Sequence, residues 1–211
     1  MTFPLSSKTA NDVMSLIRRL FGDDAAVQIL DSDLISWINM GQLDIATKLQ
    51  CIQATAVTSS IVGTSAYSVP TDIIKMESVY FNNVPLRATS MDSIQTMIGD
   101  TIGTDQADPR YWWLWANMIY VYPVPSTIYP IEINYIKRPA NVVNAASSLS
   151  LPDTYFNALC EYVMAKAQEL DENLQGSQIS QQKYGEYVTN LMNIERSESG
   201  SFPVVQEYIY D

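Results

Sequence analysis

The residues of this sequence that could do chemistry are carboxylates and aromatic rings, because the 211-residue chain contains no histidine. That absence removes the Ser-His-Asp and Cys-His catalytic arrangements and most zinc sites. Neighbouring carboxylates occur at Asp31 and Asp33, at a predicted helix start, and at Glu169, Asp171 and Glu172, at a predicted helix end. The helix dipole explains the first pair and solvation explains the second group. We therefore predict no enzyme activity, no metal and no cofactor, with a carboxylate-dependent hydrolase as an alternative hypothesis.

Aromatic residues are most concentrated between positions 111 and 122. Rings on strands can stack on sugars or bases. Strand alternation places Trp112 and Leu114 on one face, and Tyr111, Trp113 and Trp115 on the other. Both faces are apolar, so we expect both to be covered by protein. We interpret Tyr111, Trp113 and Trp115 as a candidate subunit interface, with a carbohydrate- or receptor-binding strand at residues 111–115 as the alternative.

The end of the chain is the second candidate for contact with a partner. Residues 197–201 have the Ser- and Gly-rich composition of a flexible linker. The ten residues after them include six that are apolar or aromatic: Phe202, Val204, Val205, Tyr208, Ile209 and Tyr210. This arm could fold back onto its own domain, or it could add as a strand or plug to a neighbouring protein. The linker favours the second interpretation.

The charge of the chain argues against direct binding of nucleic acid. The net charge is −11, and residues 151–211 carry ten acidic and three basic side chains. Proteins that bind phosphate backbones need clustered Lys and Arg, and this chain has only the pairs Arg18-Arg19 and Lys137-Arg138. We therefore expect no specific DNA or RNA binding. An acidic surface past which DNA slides without sticking is compatible with this composition.

The cysteines and the apolar runs are typical of a protein that stays in the cytoplasm where it is made. Cys51 and Cys160 have no metal-type spacing, and we interpret both as small apolar core residues. The chain has no run of about 18 apolar residues that would span a membrane. Its first residues lack the basic start and apolar stretch of a signal peptide.

The elements that must position these residues are helices at both ends and strands in the middle. Apolar periodicity predicts helices over residues 10–21, 31–49, 152–172 and 177–196. Short runs of β-branched and aromatic residues predict a hairpin that turns at residues 62–64 and another that turns at Ala116-Asn117. Further strands are predicted over residues 73–81, 84–86 and 128–137, with a short helix over residues 90–99.

This order of elements predicts the α+β class. We expect a helical bundle from residues 1–50 and 150–196, with an inserted antiparallel β domain at residues 51–149. Residues 197–211 form the linker and the extended C-terminal arm.

Several stretches, in order along the chain, resemble the head-to-tail adaptor (connector) proteins of tailed bacteriophages. Residues 33–46 (Asp-Leu-Ile-Ser-Trp-Ile-Asn-Met-Gly-Gln-Leu-Asp-Ile-Ala) are similar to the early helix of that family. Residues 63–72 (Gly-Thr-Ser-Ala-Tyr-Ser-Val-Pro-Thr-Asp) are similar to the start of its β insertion. The family's later strands are similar to residues 73–81, 85–86, 118–125 and 133–139 of this chain. Its returning helix is similar to residues 151–167.

The resemblance implies a structural virion protein at the head–tail junction. It implies a ring, usually of about twelve copies, that docks under the portal and extends the DNA channel. Tail or nozzle proteins would bind on the other side, and DNA would pass through without specific binding. In the family, the C-terminal segment commonly reaches into the portal assembly, which here corresponds to residues 202–211.

Overall fold

The computed structural model describes residues 6–23, 25–98 and 105–198 of the chain. The described residues form the α-helices α1 (Ala10–Phe21), α2 (Asp31–Leu49), α3 (Met91–Ile98), α4 (Phe156–Leu170) and α5 (Leu174–Glu198). They also form the strands β1 (Gln53–Ser59), β2 (Ala66–Ser68), β3 (Ile73–Phe81), β4 (Val84–Pro85), β5 (Arg87–Ala88), β6 (Tyr111–Trp115), β7 (Met118–Tyr122) and β8 (Pro130–Lys137). The predicted α+β class is confirmed. The predicted arm at residues 202–211 lies outside the described residues.

The chain divides into two compact units. A helical unit consists of residues 1–51 and 139–211, and a β unit consists of residues 52–138. The helical unit contains α1, α2, α4 and α5, and the β unit contains all eight strands and α3.

Helix α4 is the centre of the helical unit, because it contacts α1, α2 and α5. Its buried residues include three alanines, at positions 158, 165 and 167, whose small side chains let the neighbouring helices approach closely. Gly41 of α2 lies directly against α4. A Cβ at that position would lie 2.7 Å from Cδ1 of Leu159 and 2.9 Å from Cδ1 of Tyr162. Any side chain at residue 41 would therefore force Leu159 and Tyr162 of α4 to shift.

Polar side chains fix the ends of the first helices. At the start of α1, the Asp12 carboxylate accepts hydrogen bonds from the Thr9 backbone N–H at 2.7 Å and from the Thr9 hydroxyl at 2.9 Å. Gly22 ends the helix in the left-handed conformation, with φ of 82°. After Gly22, the buried Asp23 carboxylate accepts the backbone N–H groups of Val27, Gln28 and Ile29.

The segment after β8 is tied to the helical unit. Asn39 of α2 donates to the Val142 carbonyl at 2.9 Å and accepts from the Val142 N–H at 2.7 Å. The Ser150 N–H donates to Gln42 at 2.8 Å, and the Ala10 N–H donates to the Ser147 carbonyl at 2.9 Å. The sequence prediction placed this segment, up to residue 149, in the inserted region as a loop that leads back to helix. In the structure, Val142 bonds to α2 and Ser147 bonds to α1.

The β unit contains two four-stranded sheets. The strand order is β1-β8-β3-β4 in one sheet and β2-β7-β6-β5 in the other. All pairs are antiparallel except the two-residue pair of β5 with β6, which is parallel. Apolar side chains of both sheets form one core, which includes Val79 and Ile133 from the first sheet and Trp112 and Ile119 from the second.

Two sequence predictions about element partners and boundaries were wrong. The hairpin at residues 62–64 does not form, because β1 pairs with β8 and β2 pairs with β7. Helix α5 begins at Leu174 instead of residue 177, so that Gly176 is helical rather than part of a turn. The side-chain oxygen of Asn173 accepts the Gly176 N–H at 3.0 Å, which is the geometry of a helix N-cap.

Candidate interaction site

The predicted aromatic hairpin of β6 and β7 is present. Ala116 and Asn117 both adopt the left-handed conformation, with φ of 48° and 59°, which suits the two-residue turn of a twisted hairpin. The register places Trp113 opposite Tyr120. Their rings stack, with centroids 5.4 Å apart and planes 12° from parallel.

Helix α3 covers only part of this aromatic face. Ile94 of α3 is fully buried, and it packs with Trp113 and Tyr122 in a small cluster. The Tyr122 hydroxyl donates to the Asp105 carboxylate at 2.7 Å. Burial raises the pKa of Tyr122, and the bond to Asp105 adds to the rise, so this hydroxyl stays protonated. Tyr122 therefore anchors the cluster and does not act as a base.

A cleft of about 250 Å³ opens beside the stacked rings. Its lining is aromatic and aliphatic, with one serine: Ser65, Met91, Trp113, Trp115, Tyr120, Val121, Tyr122 and Val124. We define these residues as the aromatic cleft. It offers ring faces and few polar groups, so it suits a flat or apolar group and lacks the convergent charges of a catalytic centre.

The structure separates the residues of the predicted aromatic interface. Trp112 lies in the core between the sheets and Trp113 is buried beneath α3, while Tyr111 is half-buried. Beyond them, Leu114 is 47% exposed and Trp115 is 63% exposed, on opposite faces of β6. The expectation that protein covers both faces thus holds within the described chain for the first half of β6 only. Trp115 is the residue of this set that remains open to a partner.

The sequence did not reveal the residues that other segments contribute to the cleft. Ser65 precedes β2, Met91 begins α3, and Val124 follows β7. In the sequence, α3 comes shortly before the aromatic strands, which suggests that it could contribute to a site there. Sequence spacing does not show which face of the sheet α3 covers.

Two of the carboxylates named from the sequence, Asp31 and Glu169, form ion pairs. The Arg18 guanidinium contacts Asp31 at 2.6 Å and the buried Asp23 at 2.9 Å. Lys166 contacts Glu169 at 2.7 Å, and this ion pair lowers the pKa of Glu169. Gln181 donates to the same Glu169 carboxylate at 2.8 Å. Over the described ranges, no group of three or more His, Cys, Asp or Glu side chains could hold a metal ion.

The two cysteines differ in burial, and Cys160 is the more buried of the two. Burial raises the pKa of the Cys160 thiol to about 12, so it is an inert core residue as the sequence indicated. Cys51 is half-buried. Within the described part of the chain, no helix combines the length and the apolar character needed to cross a membrane.

The fold is α+β with the β unit inserted between helices, and the aromatic cleft has the lining of a binding surface and lacks catalytic groups. These features are typical of a structural or binding protein. The comparison with known families identifies the chain further. Residues 8–206 match the model of the SU10 adaptor protein family. The chain belongs to this family of phage head–tail adaptors and is a structural protein of the tailed-phage virion. No protein of curated function matches the chain.

Proposed function

We propose that the chain assembles as a ring beneath the portal, joins the head to the tail and extends the DNA channel. The observation that carries this proposal is the family match over residues 8–206. By the resemblance of the sequence to connector proteins, the ring contains about twelve copies. Portal protein binds on the head side and tail or nozzle proteins bind on the other. Assembly takes place in the host cytoplasm.

The charge of the chain supports the channel. With a net charge of −11, the protein repels DNA phosphates at long range. Exposed carboxylates of the helical unit include Asp171, Glu172 and Glu186. A surface of this kind lets DNA pass without a bound state to slow it.

The two units and the arm have separate roles in this proposal. The helical segments 1–50 and 150–196 form the body of the ring, and the β region at residues 51–149 forms a wall and contact surface. Tyr111, Trp113 and Trp115 belong to that surface, with the exposed Trp115 as its contact residue. The arm contacts the portal or a neighbouring subunit through Phe202, Val204, Val205, Tyr208, Ile209 and Tyr210.

Imaging of the purified protein tests the ring. We expect rings in electron micrographs, alone or after addition of portal protein. A chain that stays monomeric and never binds portal would contradict the proposal.

Deletion of residues 202–211 tests the arm. We expect an unchanged melting temperature and weaker co-sedimentation with portal or with further copies. The matched control is a full-length chain in which the same ten residues are shuffled. A large drop in melting temperature would show instead that the arm belongs to the core of its own domain.

The aromatic cleft supports a second candidate function, a carbohydrate- or receptor-binding role in the virion. Its specific support is the stacked pair of Trp113 and Tyr120 beside the exposed Trp115, an arrangement that suits a sugar ring. A glycan screen tests this role. Trp115→Ala should abolish any signal, whereas Leu114→Ala, on the opposite face of β6, should retain it. A screen without any signal removes this candidate.

A further inference from the structure

The four outer strands of the two sheets differ in how they protect their open edges. Strand β4 has two residues, one of them Pro85, and β5 also has two residues. Strand β2 has three residues. In contrast, β1 has seven residues and pairs only with β8 within the described chain. Short strands and proline discourage pairing with another chain, and β1 has neither device.

The register shows which backbone groups of β1 are open. Ile52, just before β1, accepts from the Lys137 N–H at 2.7 Å, and the Ser60 N–H, just after β1, donates to the Tyr129 carbonyl at 2.8 Å. In an antiparallel pair, every second residue makes such bonds to the partner strand, and the residues between them point their N–H and C=O groups away. The backbone groups that point to the open edge of β1 therefore belong to Gln53, Thr55, Val57 and Ser59.

The side chains of β1 also leave this edge accessible. The strand reads Gln-Ala-Thr-Ala-Val-Thr-Ser and contains no charged residue, glycine or proline. Val57 is 66% exposed. On the core side, Ala54 and Ala56 pack at the margin of the apolar core, where an added strand could bury its own apolar side chains.

Another segment of the same sequence has the composition of a strand that could pair with this edge. Residues 204–210 read Val-Val-Gln-Glu-Tyr-Ile-Tyr, a seven-residue run without glycine or proline that is rich in β-branched and aromatic residues. Five residues, 199–203, separate this run from the last residue of α5. Fully extended, those five residues span about 17 Å.

We propose that residues 204–210 of a second copy add as a strand to the open edge of β1. This inference rests on the ring of the proposed function and names one contact that would build it. A contact between two different surfaces repeats around a ring, whereas pairing of β1 with another β1 would stop at a dimer. An arm that fills the β1 edge of the next copy is such a head-to-tail contact.

Hydrogen exchange of the full-length protein tests the receiving edge. In the monomer we expect the Thr55 and Val57 amides to exchange fast and the Ala54 and Ala56 amides to be protected by β8, because of the register. In the ring we expect exchange at Thr55 and Val57 to slow by roughly tenfold or more, because the added strand supplies acceptors. Fast exchange at these two amides within assembled rings overturns this inference and leaves the proposed function intact. A chain that forms no ring, with or without portal, overturns the proposed function as well.

Proline variants of full-length chains identify the occupant. Val57→Pro removes an N–H that points outward, so the ladder with β8 is kept. The double variant Val205→Pro with Tyr208→Pro removes one donor from each side of the arm strand, whichever side faces β1. Each variant should weaken association by roughly tenfold or more. Threonine at the same positions keeps the donors and should associate like the natural sequence. Melting temperatures check that the variants fold.

Mixing the two proline variants distinguishes a second copy from the same chain. Val57→Pro retains an intact arm, and the arm variant retains an intact edge. Together they should form a one-to-one complex that grows no further. If each associates weakly alone and the mixture also stays apart, the arm docks on its own chain and the proposal is overturned. Normal assembly of both variants, or protection of Thr55 and Val57 that requires added portal, also overturns it.

Discussion

The helical unit buries several polar side chains, and the β unit buries almost none. Among the described residues, Arg18, Asp23, Gln42, Ser177 and Ser180 are buried in the helical unit, whereas the β unit buries only Ser60. The ion pairs of the β unit that are described, Lys75 with Glu77 and Lys137 with Asp72, are all substantially exposed.

This difference shows how each unit is specified. In the helical unit, Arg18 of α1 contacts the buried Asp23 and also Asp31, the first residue of α2, so a directional contact joins the two helices. Between α2 and α5, the Tyr184 hydroxyl donates to Asp44, and burial raises the pKa of Tyr184. The sheets are selected by alternation and register, which require no buried charge. A sheet specified in this way can still have an unpaired edge.

The largest effect is expected from a cavity in the β core. Ile133 of β8 is almost fully buried between the sheets. Ile133→Ala should destabilise the β unit by about 2–5 kcal/mol, through lost apolar burial and the cavity left behind. Chemical denaturation would measure the free energy of unfolding, and hydrogen exchange of the folded protein would show which unit is affected. We expect faster exchange in β3 and β8 with little change in α4, and equal loss in both units would contradict their separate specification.

Overpacking of the helical unit should have the next largest effect. Gly41→Val forces a side chain into Leu159 and Tyr162 and should cost about 1–3 kcal/mol. The matched control is Gly185→Ala in α5, where a Cβ would meet nothing within 4 Å. This control should stabilise the protein by about 0.5–1 kcal/mol, through helix propensity. If both variants changed the free energy of unfolding in the same direction, the close contact of α2 with α4 would not explain the effect of Gly41→Val.

The two units should differ in their sensitivity to acid. Burial alone would raise the pKa of Asp23, but the N–H groups of Gln28, Ile29 and Val27, with Arg18, outweigh it and lower the pKa below the usual 3.8. Hydrogen bonds also lower the pKa values of Asp12, Asp153 and Glu169, all in the helical unit.

A lowered folded pKa contributes stability that is complete above the unfolded pKa and is lost as the pH falls through the folded value. We therefore expect the helical unit to lose amide protection first as the pH falls below about 4. Asp23→Asn should flatten this dependence. If the β unit opened first in acid, this assignment of acid sensitivity would be wrong.

The smallest effect on stability is expected at Trp115. Because it is largely exposed, Trp115→Ala should change the free energy of unfolding by no more than about 0.5 kcal/mol. If Trp115 contacts a neighbouring subunit, the same variant should weaken assembly measured by sedimentation. Leu114→Ala is the control on the other face of β6. A large loss of stability would mean that Trp115 helps to hold its own unit together.

The sequence predicted what local patterns determine. The aromatic and β-branched runs on either side of Ala116-Asn117 predicted the aromatic hairpin, and the stop at Gly22 ended α1 as expected. It could not predict the partner of β1, because several strands share the alternation of β8 and the pairing spans residues far apart in the chain. The cleft was missed in part for the same reason, since Ser65 and Met91 reach it only through tertiary packing.

The hydrogen bond between Ile52 and Lys137 brings together the two points where the chain enters and leaves the β unit. A segment whose ends lie side by side can be inserted at a single point of a host chain, which is the geometry that makes domain insertions tolerable. The β unit, residues 52–138, has this geometry.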